Sequence, residues 1–216
     1  MFKRYRQLES KEQIVVFGDT SAGGMDYTAI QFLSRTKMDV PIVYHSRETT
    51  TAALLPLVTE LERIYDVTGI KPVIALERQN GGTFLMDQLA AMNRAYKFEL
   101  FKMPTAGRID APDPVRYGWD TNSATRPIML QDLKQVIDNH IIKLYDKETV
   151  AELFSFVVVQ TTSSWKAQAE VGAHDDLVMS LAGAVQLHQQ VPSQQNSIID
   201  VSGFPDEKLF TKDGWY

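Results

Sequence analysis

An acidic side chain ends the first strongly apolar run of this chain. Residues 14–17 are β-branched or aromatic, which predicts a buried strand, and Gly18 and Asp19 follow directly. A carboxylate in that place is costly unless something compensates its charge. Small residues at 20–24 predict a tight turn, and 27–33 predicts a second strand. Asp19 is therefore either a turn residue that accepts hydrogen bonds from backbone amides or one member of a functional site.

Beyond this hairpin, predicted strands and helices alternate, which indicates an α/β domain with a mixed central sheet flanked by helices. The later strands are predicted at 41–47, 72–76, 99–103, 140–144 and 154–160, the last two being candidates to pair with each other. The helices are predicted at 50–68, 83–95, 127–137, 147–153 and 173–190. Thr50 or Thr51 is expected to cap the first of them, and Gly69 to end it. Residues 104–126 and 161–172 are predicted loops, and the first is long enough to suggest a functional role.

The composition fits a domain with a sizeable core. Of the 216 residues, 44% are hydrophobic, and the absence of cysteine excludes disulfides, zinc–thiolate sites and cysteine nucleophiles. We predict a basic arm or linker at 1–13, one domain at 14–190 and a tail at 191–216. No apolar run has the length of a transmembrane helix, so no membrane partner is expected. The net charge of −5 argues mildly against a nucleic-acid binder, although clustered metal-binding acids would themselves lower the charge.

Acidic residues occupy three similar places in the predicted fold. Asp19 ends the first strand, Glu77 follows the apolar run 73–76, and Asp175 with Asp176 opens the last helix. Strand ends and helix starts gather at one edge of an α/β sheet, where ligand sites form. Carboxylates gathered there repel each other, and Mg²⁺, which accepts carboxylate and water oxygens, removes that repulsion. Two such ions about 3.5–4 Å apart support phosphodiester cleavage.

Each acid also has a purely structural explanation. Asp175 or Asp176 is well placed to cap the last helix or to sit favourably in its first turn. Glu77 is harder to explain in this way because glutamate is a poor turn former. The combination of the acids is therefore more specific than any one of them.

Four segments carry a family resemblance. They are Asp19 with Asp26 around Ser21, Gly23 and Gly24; Ala75-Leu76-Glu77-Arg78-Gln79-Asn80-Gly81-Gly82; Tyr117-Gly118-Trp119-Asp120-Thr121-Asn122-Ser123-Ala124-Thr125-Arg126-Pro127; and Gly172-Ala173-His174-Asp175-Asp176-Leu177-Val178-Met179-Ser180-Leu181-Ala182. Together they resemble the nuclease domain of the large terminase subunit of tailed bacteriophages. The likeness spans about residues 15–187, and its most specific piece is the His-Asp-Asp-Leu-Val-Met segment at 174–179.

The resemblance implies an RNase H-like fold and metal-dependent cleavage of double-stranded DNA during phage genome packaging. By the family pattern, the ligands of two Mg²⁺ or Mn²⁺ ions would be Asp19, Glu77 and one of Asp175 and Asp176, with Asp26 as an auxiliary acid. Of the adjacent pair we expect Asp176 to be the ligand, because it would sit inside the first helical turn while Asp175 is better placed to cap. Basic residues near the acids are candidates to bind DNA phosphates or, alternatively, are solvated surface charges: Arg78, Lys102, Arg108, Arg126 and Lys166.

The resemblance also implies partners. Full-length family members carry an ATPase domain, whereas this chain has no Gly-x-x-x-x-Gly-Lys-Ser/Thr phosphate loop, so it is read as the nuclease domain alone. The expected partners are double-stranded DNA, a separate ATPase domain of the full-length chain, the capsid portal and the small terminase subunit, in the host cytoplasm during phage assembly. The alternatives are another RNase H-like nuclease, such as a junction resolvase or a transposase-like enzyme, and a non-catalytic module that docks on the portal or another subunit.

Three further residues have two readings each. His174 either orients a water at a metal or is a hydrogen-bonded structural histidine. Trp119 and Trp165 either stack on bases or pack beneath a loop.

Overall fold

A mixed sheet forms the centre of the molecule in the computed structural model, which describes residues 2–21, 27–79, 81–103, 116–160, 165–169 and 174–192, with only the backbone for 157–160 and 165–169. Its strands within these ranges are β1 (Lys3–Arg4), β2 (Ile14–Asp19), β3 (Thr28–Ser34), β4 (Asp39–Ser46), β5 (Val73–Leu76), β6 (Glu99–Leu100) and β7 (Lys143–Leu144). They lie in the order β1-β4-β3-β2-β5-β6, with β7 paired to β4. The prediction of an α/β, RNase H-like mixed sheet is confirmed.

Strand direction changes at β2. The run β2–β3–β4 is an antiparallel meander, as the sequence predicts for the opening hairpin. On its other side β2 pairs with β5 in parallel, and β5 pairs in parallel with β6. The carboxyl ends of β2, β5 and β6 therefore share one edge of the sheet, which is where ligand sites form in such folds.

Helices cover both faces of the sheet. They are α1 (Thr50–Thr68), α2 (Gly82–Met92), α3 (Thr125–Asp138), α4 (Lys147–Ser155) and α5 (Asp176–Gln190). Alternate residues of β2 point to opposite sides, so Val15 and Phe17 join one core with α3 and α5, while Ile14 and Val16 join another with α1 and α2. By the same alternation Asp19 continues the side that faces α5.

A glycine brings α5 close to the central strand. A Cβ atom added at Gly183 would lie only 2.3 Å from the Phe17 ring, so a larger residue would push the helix away from β2. At the far end of α5, Arg35 donates a 2.7 Å hydrogen bond to the carbonyl of Val191. These contacts fix the position of α5 along β2.

The structure differs from the sequence-based prediction near the amino-terminal end. The segment predicted as a basic arm contains β1, which pairs with β4, and a buried Leu8. Arg6 holds it through ion pairs with Glu12 and with Asp39, at 2.6 Å from the latter. Because the segment is anchored by ion pairs and one apolar residue, it shows no hydrophobic period.

Three local predictions are wrong. The strands predicted at 140–144 and 154–160 do not pair: β7 pairs with β4, and β8 (Phe156–Gln160) pairs with β9 (Trp165–Ala169). The strand β9 lies in the predicted polar loop, because backbone pairing with β8 outweighs its weak apolar content. Thr49, not Thr50 or Thr51, is the N-cap of α1. Gly69 ends that helix as predicted, in a left-handed conformation.

In the described parts of the chain, no helix combines the length and apolarity needed to cross a membrane.

Candidate active site

The register of β2 and β5 brings Asp19 and Glu77 together. Gly18 pairs with Leu76, so the two acids are the next residues at the ends of neighbouring parallel strands. The Glu77 amide donates a 2.8 Å hydrogen bond to the carbonyl of Gly18, which extends the ladder by one step. Strand pairing therefore brings the two carboxyl groups within hydrogen-bonding reach, which raises the pKa of Asp19.

Burial and neighbouring charge favour the protonated form of Asp19. The surrounding protein removes water from this carboxyl and raises its pKa well above the usual value, and the bond to Glu77 raises it further. Repulsion from Glu77, Asp176 and Asp175 acts in the same direction. Four acids from two strand ends and one helix start therefore interact at one edge of the sheet. The predicted raised pKa of a carboxyl in this cluster is confirmed.

Asp175 and Asp176 lie at the start of α5 but have different partners. Asp176 is the first helical residue, with only 16% of its side chain exposed, as expected for the inward-facing member. Asp175 occupies the N-cap position, yet its side chain makes no capping hydrogen bond. Instead, Arg126 of α3 donates a 2.6 Å hydrogen bond to its carboxylate. The prediction that Asp175 caps the helix is thus correct for its position and wrong for its side chain.

A residue that the sequence analysis missed performs the capping. Glu152 of α4 accepts a 2.9 Å hydrogen bond from the amide of Val178, in the first turn of α5, and also interacts with the amide of Leu177. The buried Gln31 of β3 donates to Thr149 of α4 at 3.0 Å and to the carbonyl of Leu177, in the same turn, at 3.5 Å. Because a residue from another helix satisfies these amides, both aspartates are released from capping. Glu152 lies inside an ordinary amphipathic stretch, and no local pattern reveals this role.

His174 contacts both an acid and an aromatic ring. Its Nδ1 atom lies 3.6 Å from an oxygen of Asp176. Its ring meets that of Tyr27 edge to face, with centroids 4.9 Å apart. The side chain is 44% exposed, so the imidazole is in contact with solvent.

The predicted phosphate-binding cations have unequal surroundings. Arg78 donates from Nε to Asp120 at 3.0 Å, and Arg126 is bound to Asp175. Lys102 is exposed beyond the end of β6, with its amine 6.0 Å from the Tyr117 ring centroid. Arg108 and Asp26 fall outside the described residues, as do the side chains of Lys166 and Trp165. Trp119 is buried and packs against Phe17 and Phe101, which supports packing over base stacking.

The carboxylates fit a divalent cation by chemistry, though they do not surround a common point. Within the described ranges, no three Asp, Glu or His side chains are arranged to hold one ion, so the predicted convergence is only partial. The predicted neighbours Asp19 and Glu77 do lie side by side on the same sheet edge. Their carboxylate oxygens are the preferred ligands of a hard cation. The carboxylate of Asp175 is instead bound to Arg126.

The raised carboxyl pKa values predict that stability falls as pH rises. Burial raises the pKa of Glu152 to about 7, and that of Asp19 is raised as well, so at these two groups the folded protein binds more protons than the unfolded chain above about pH 4.5. In chelator, we expect the melting temperature to drop by roughly 4–8 °C between about pH 5 and about pH 8. Mg²⁺ or Mn²⁺ should reduce the drop by stabilising the ionised acids.

Glu152→Gln provides the control for this pH effect. It keeps a side-chain oxygen for the α5 amides and removes the titration, so its melting curve in chelator should depend less steeply on pH. A melting temperature of the wild-type protein that stays constant or rises over the same range would contradict the assignment of these raised pKa values.

Solved structures identify the fold to which this arrangement belongs. No protein-family model and no curated protein matches the chain. The large terminase nuclease from thermophilic phage G20c with bound magnesium superposes with a TM-score of 0.58 at 19% identity, over 85% of this chain and 84% of that one. The chain has the fold of a terminase nuclease domain.

Terminase nuclease domains from other viruses give the same result. The human cytomegalovirus terminase nuclease domain superposes with a TM-score of 0.58 at 10% identity, over 82% of this chain and 83% of that one. The large terminase nuclease domain of Thermus phage P74-26 gives 0.52 at 17% identity, over 83% and 82%. The resemblance seen in the sequence to terminase nuclease domains is confirmed at the level of the fold.

Proposed function

We propose that this chain is a metal-dependent endonuclease that cleaves double-stranded DNA during phage genome packaging, as the nuclease domain of a large terminase subunit. The observation that carries the proposal is the placement of Asp19 and Glu77 at adjacent strand ends, near the acids at the start of α5. Carboxylates on a rigid sheet edge are a costly arrangement without a cation, and metal-dependent catalysis accounts for that cost. The fold shared with terminase nucleases supports the same assignment.

Divalent cations fit the donor set. Asp19, Glu77 and Asp176 would hold them, as two ions of Mg²⁺ or Mn²⁺. Related terminase nucleases have been solved with bound magnesium, cobalt and zinc, and one after a manganese soak. When bound, such ions lower the pKa of water and neutralise the charge that develops on phosphate oxygens.

The chain's own residues would position the reacting groups. Hydrolysis joins a water oxygen to phosphorus and breaks the bond from phosphorus to the 3′ oxygen, which leaves with a proton. The strand ends hold Asp19 and Glu77 through the β2–β5 ladder, while Glu152 holds the first turn of α5 and so the direction of Asp176. His174, beside Asp176 and half exposed, is placed to exchange a proton with solvent near this site.

The test is cleavage of a supercoiled plasmid by the purified protein. With Mg²⁺ or Mn²⁺ we expect nicked and then linear product, and chelator should stop the reaction. Because the acids recognise phosphate through cations, random-sequence duplexes should be cut with little sequence preference. No product with either ion, from a protein whose melting temperature rises on adding it, would contradict the nuclease assignment.

The same assay separates the alternatives. A strong preference for a four-way junction over a linear duplex of equal length would favour a resolvase, and joining of DNA ends would favour a transposase-like enzyme. A protein that binds other terminase parts yet cleaves none of these substrates would be a docking module.

The proposal extends to the assembly. A packaging nuclease needs a motor, so we propose that the chain works with an ATPase domain of the full-length protein, and with the capsid portal and small terminase subunit. Co-purification with each partner separately would test this.

A further inference from the structure

Arg47 lies on the same sheet edge as the acids but outside the set of cations predicted from sequence. It follows β4 directly, and Thr28 pairs with Ser46 while Asp19 pairs with Ala29, so Arg47 sits two strands from Asp19 at the same edge. Its side chain is exposed. Its Nε donates a 2.7 Å hydrogen bond to the Tyr27 hydroxyl, and its guanidinium carbon lies 5.0 Å from the centroid of that ring.

A row of rings connects Arg47 to the acids. Tyr27 stacks on His45 with ring centroids 4.3 Å apart, and it meets His174 edge to face at 4.9 Å. His174 in turn lies 3.6 Å from Asp176. Tyr27 is thereby fixed between two imidazoles, and it fixes the guanidinium through both its hydroxyl and its ring. The side chain of Arg47 is thus preorganised beside the candidate active site.

Unlike Arg78 and Arg126, Arg47 has no carboxylate partner among the described residues. Arg78 is bound to Asp120 and Arg126 to Asp175, so their charges are already compensated. The guanidinium of Arg47 uses one donor on Tyr27 and leaves the remaining donors of its planar fork for a ligand. A planar fork of donors matches a phosphate group, which it can bind in a bidentate manner.

We infer that Arg47, held by Tyr27, binds a backbone phosphate of the DNA strand that enters the candidate active site. The contacts that lead from the Arg47 guanidinium through Tyr27 and His174 to Asp176 are 5.0, 4.9 and 3.6 Å long in turn. A DNA strand that follows this row of rings would cover a few nucleotides, at about 3.4 Å per nucleotide. The contact would fix the strand's path across the sheet edge without reading its sequence. This inference rests on the proposed function, because it takes DNA as the ligand.

The experiment measures duplex DNA binding in chelator, where cleavage does not interfere, by fluorescence anisotropy from about 50 to about 200 mM salt. Arg47→Gln should weaken binding several-fold at the lowest salt and reduce the slope of log K against log salt by about one. Arg94→Gln is the matched control: Arg94 is also exposed, but it follows the far end of α2, whose first residue lies against Glu77. It should leave both quantities unchanged.

Tyr27→Phe separates positioning from charge. It keeps the ring and the charge of Arg47 but removes the hydroxyl that orients the guanidinium, so affinity should fall less than in Arg47→Gln while the salt slope stays near that of wild type. Equal slopes for Arg47→Gln and Arg94→Gln, or no duplex binding by the wild-type protein, would overturn the inference. If the wild-type protein cleaves DNA but the salt slopes of Arg47→Gln and Arg94→Gln are equal, this inference alone is contradicted. If duplex binding depends on Arg47 but the wild-type protein does not cleave DNA, only the proposed function is contradicted.

Discussion

Asp19→Asn should abolish metal-dependent cleavage while the protein remains folded. The change keeps the shape of the side chain and removes one negative charge from the centre of the acid cluster. Mutating a residue that only supports a metal ligand costs about 10–100-fold, so loss of a direct ligand should lower plasmid cleavage by more than about 100-fold. If Asp19 were only a turn residue, asparagine would serve almost as well, and activity would persist.

A thermal melt in chelator accompanies this assay. Without a cation, the raised pKa of Asp19, caused first by burial and then by the neighbouring acids, means that this carboxyl costs free energy of folding near neutral pH. Asparagine removes that cost, so Asp19→Asn should be at least as stable as wild type. The matched control is Asp66→Asn. It removes the same group from Asp66 of α1, which forms an exposed ion pair with Lys97. It should cleave at the wild-type rate. Wild-type activity from a well-folded Asp19→Asn protein would remove Asp19 from the mechanism.

The sequence predicts the central part of this fold because period and chemistry agree there. Residues 14–19 form a continuous apolar run that ends in an acid, and the strand has those bounds in the structure. The Gly183 contact with Phe17 shows why a helix rich in small residues lies there. In contrast, β9 has a weak apolar pattern and owes its conformation to pairing with β8, which sequence-local reasoning does not detect.

The candidate site follows the same rule. Asp19 and Glu77 are readable because each directly follows a buried strand, and parallel pairing then makes them neighbours. The roles of Glu152 and Arg47 could not be predicted from the sequence, because they depend on elements that are distant in the chain. The role of Glu152 depends on how α4 packs against α5. That of Arg47 depends on how two histidines hold Tyr27. The sequence makes Arg126 either a candidate phosphate contact or a solvated surface charge, and in the structure it is bound to Asp175.

The Arg126–Asp175 ion pair yields the second large prediction, because it divides the roles of the adjacent aspartates. Asp176 contributes more than Asp175 to the repulsion that acts on Asp19, and it is the less exposed of the two. We therefore expect Asp176→Asn to lower cleavage by more than about 100-fold, as for a direct ligand. Asp175→Asn should cost clearly less, since it loses an ion pair that is about one-third exposed on each side.

The double mutant decides whether Asp175 acts through Arg126. If it does, Arg126→Gln and Asp175→Asn should each reduce cleavage to a similar extent, and combining them should add little, because both remove one interaction. Melting temperatures of all variants should stay close to wild type, since Glu152 and not Asp175 satisfies the amides at the start of α5. A larger loss from Asp175→Asn than from Asp176→Asn would reverse the assignment. It would mean that Arg126 releases Asp175 when a cation binds, and that the helix start presents the other carboxylate to the metal.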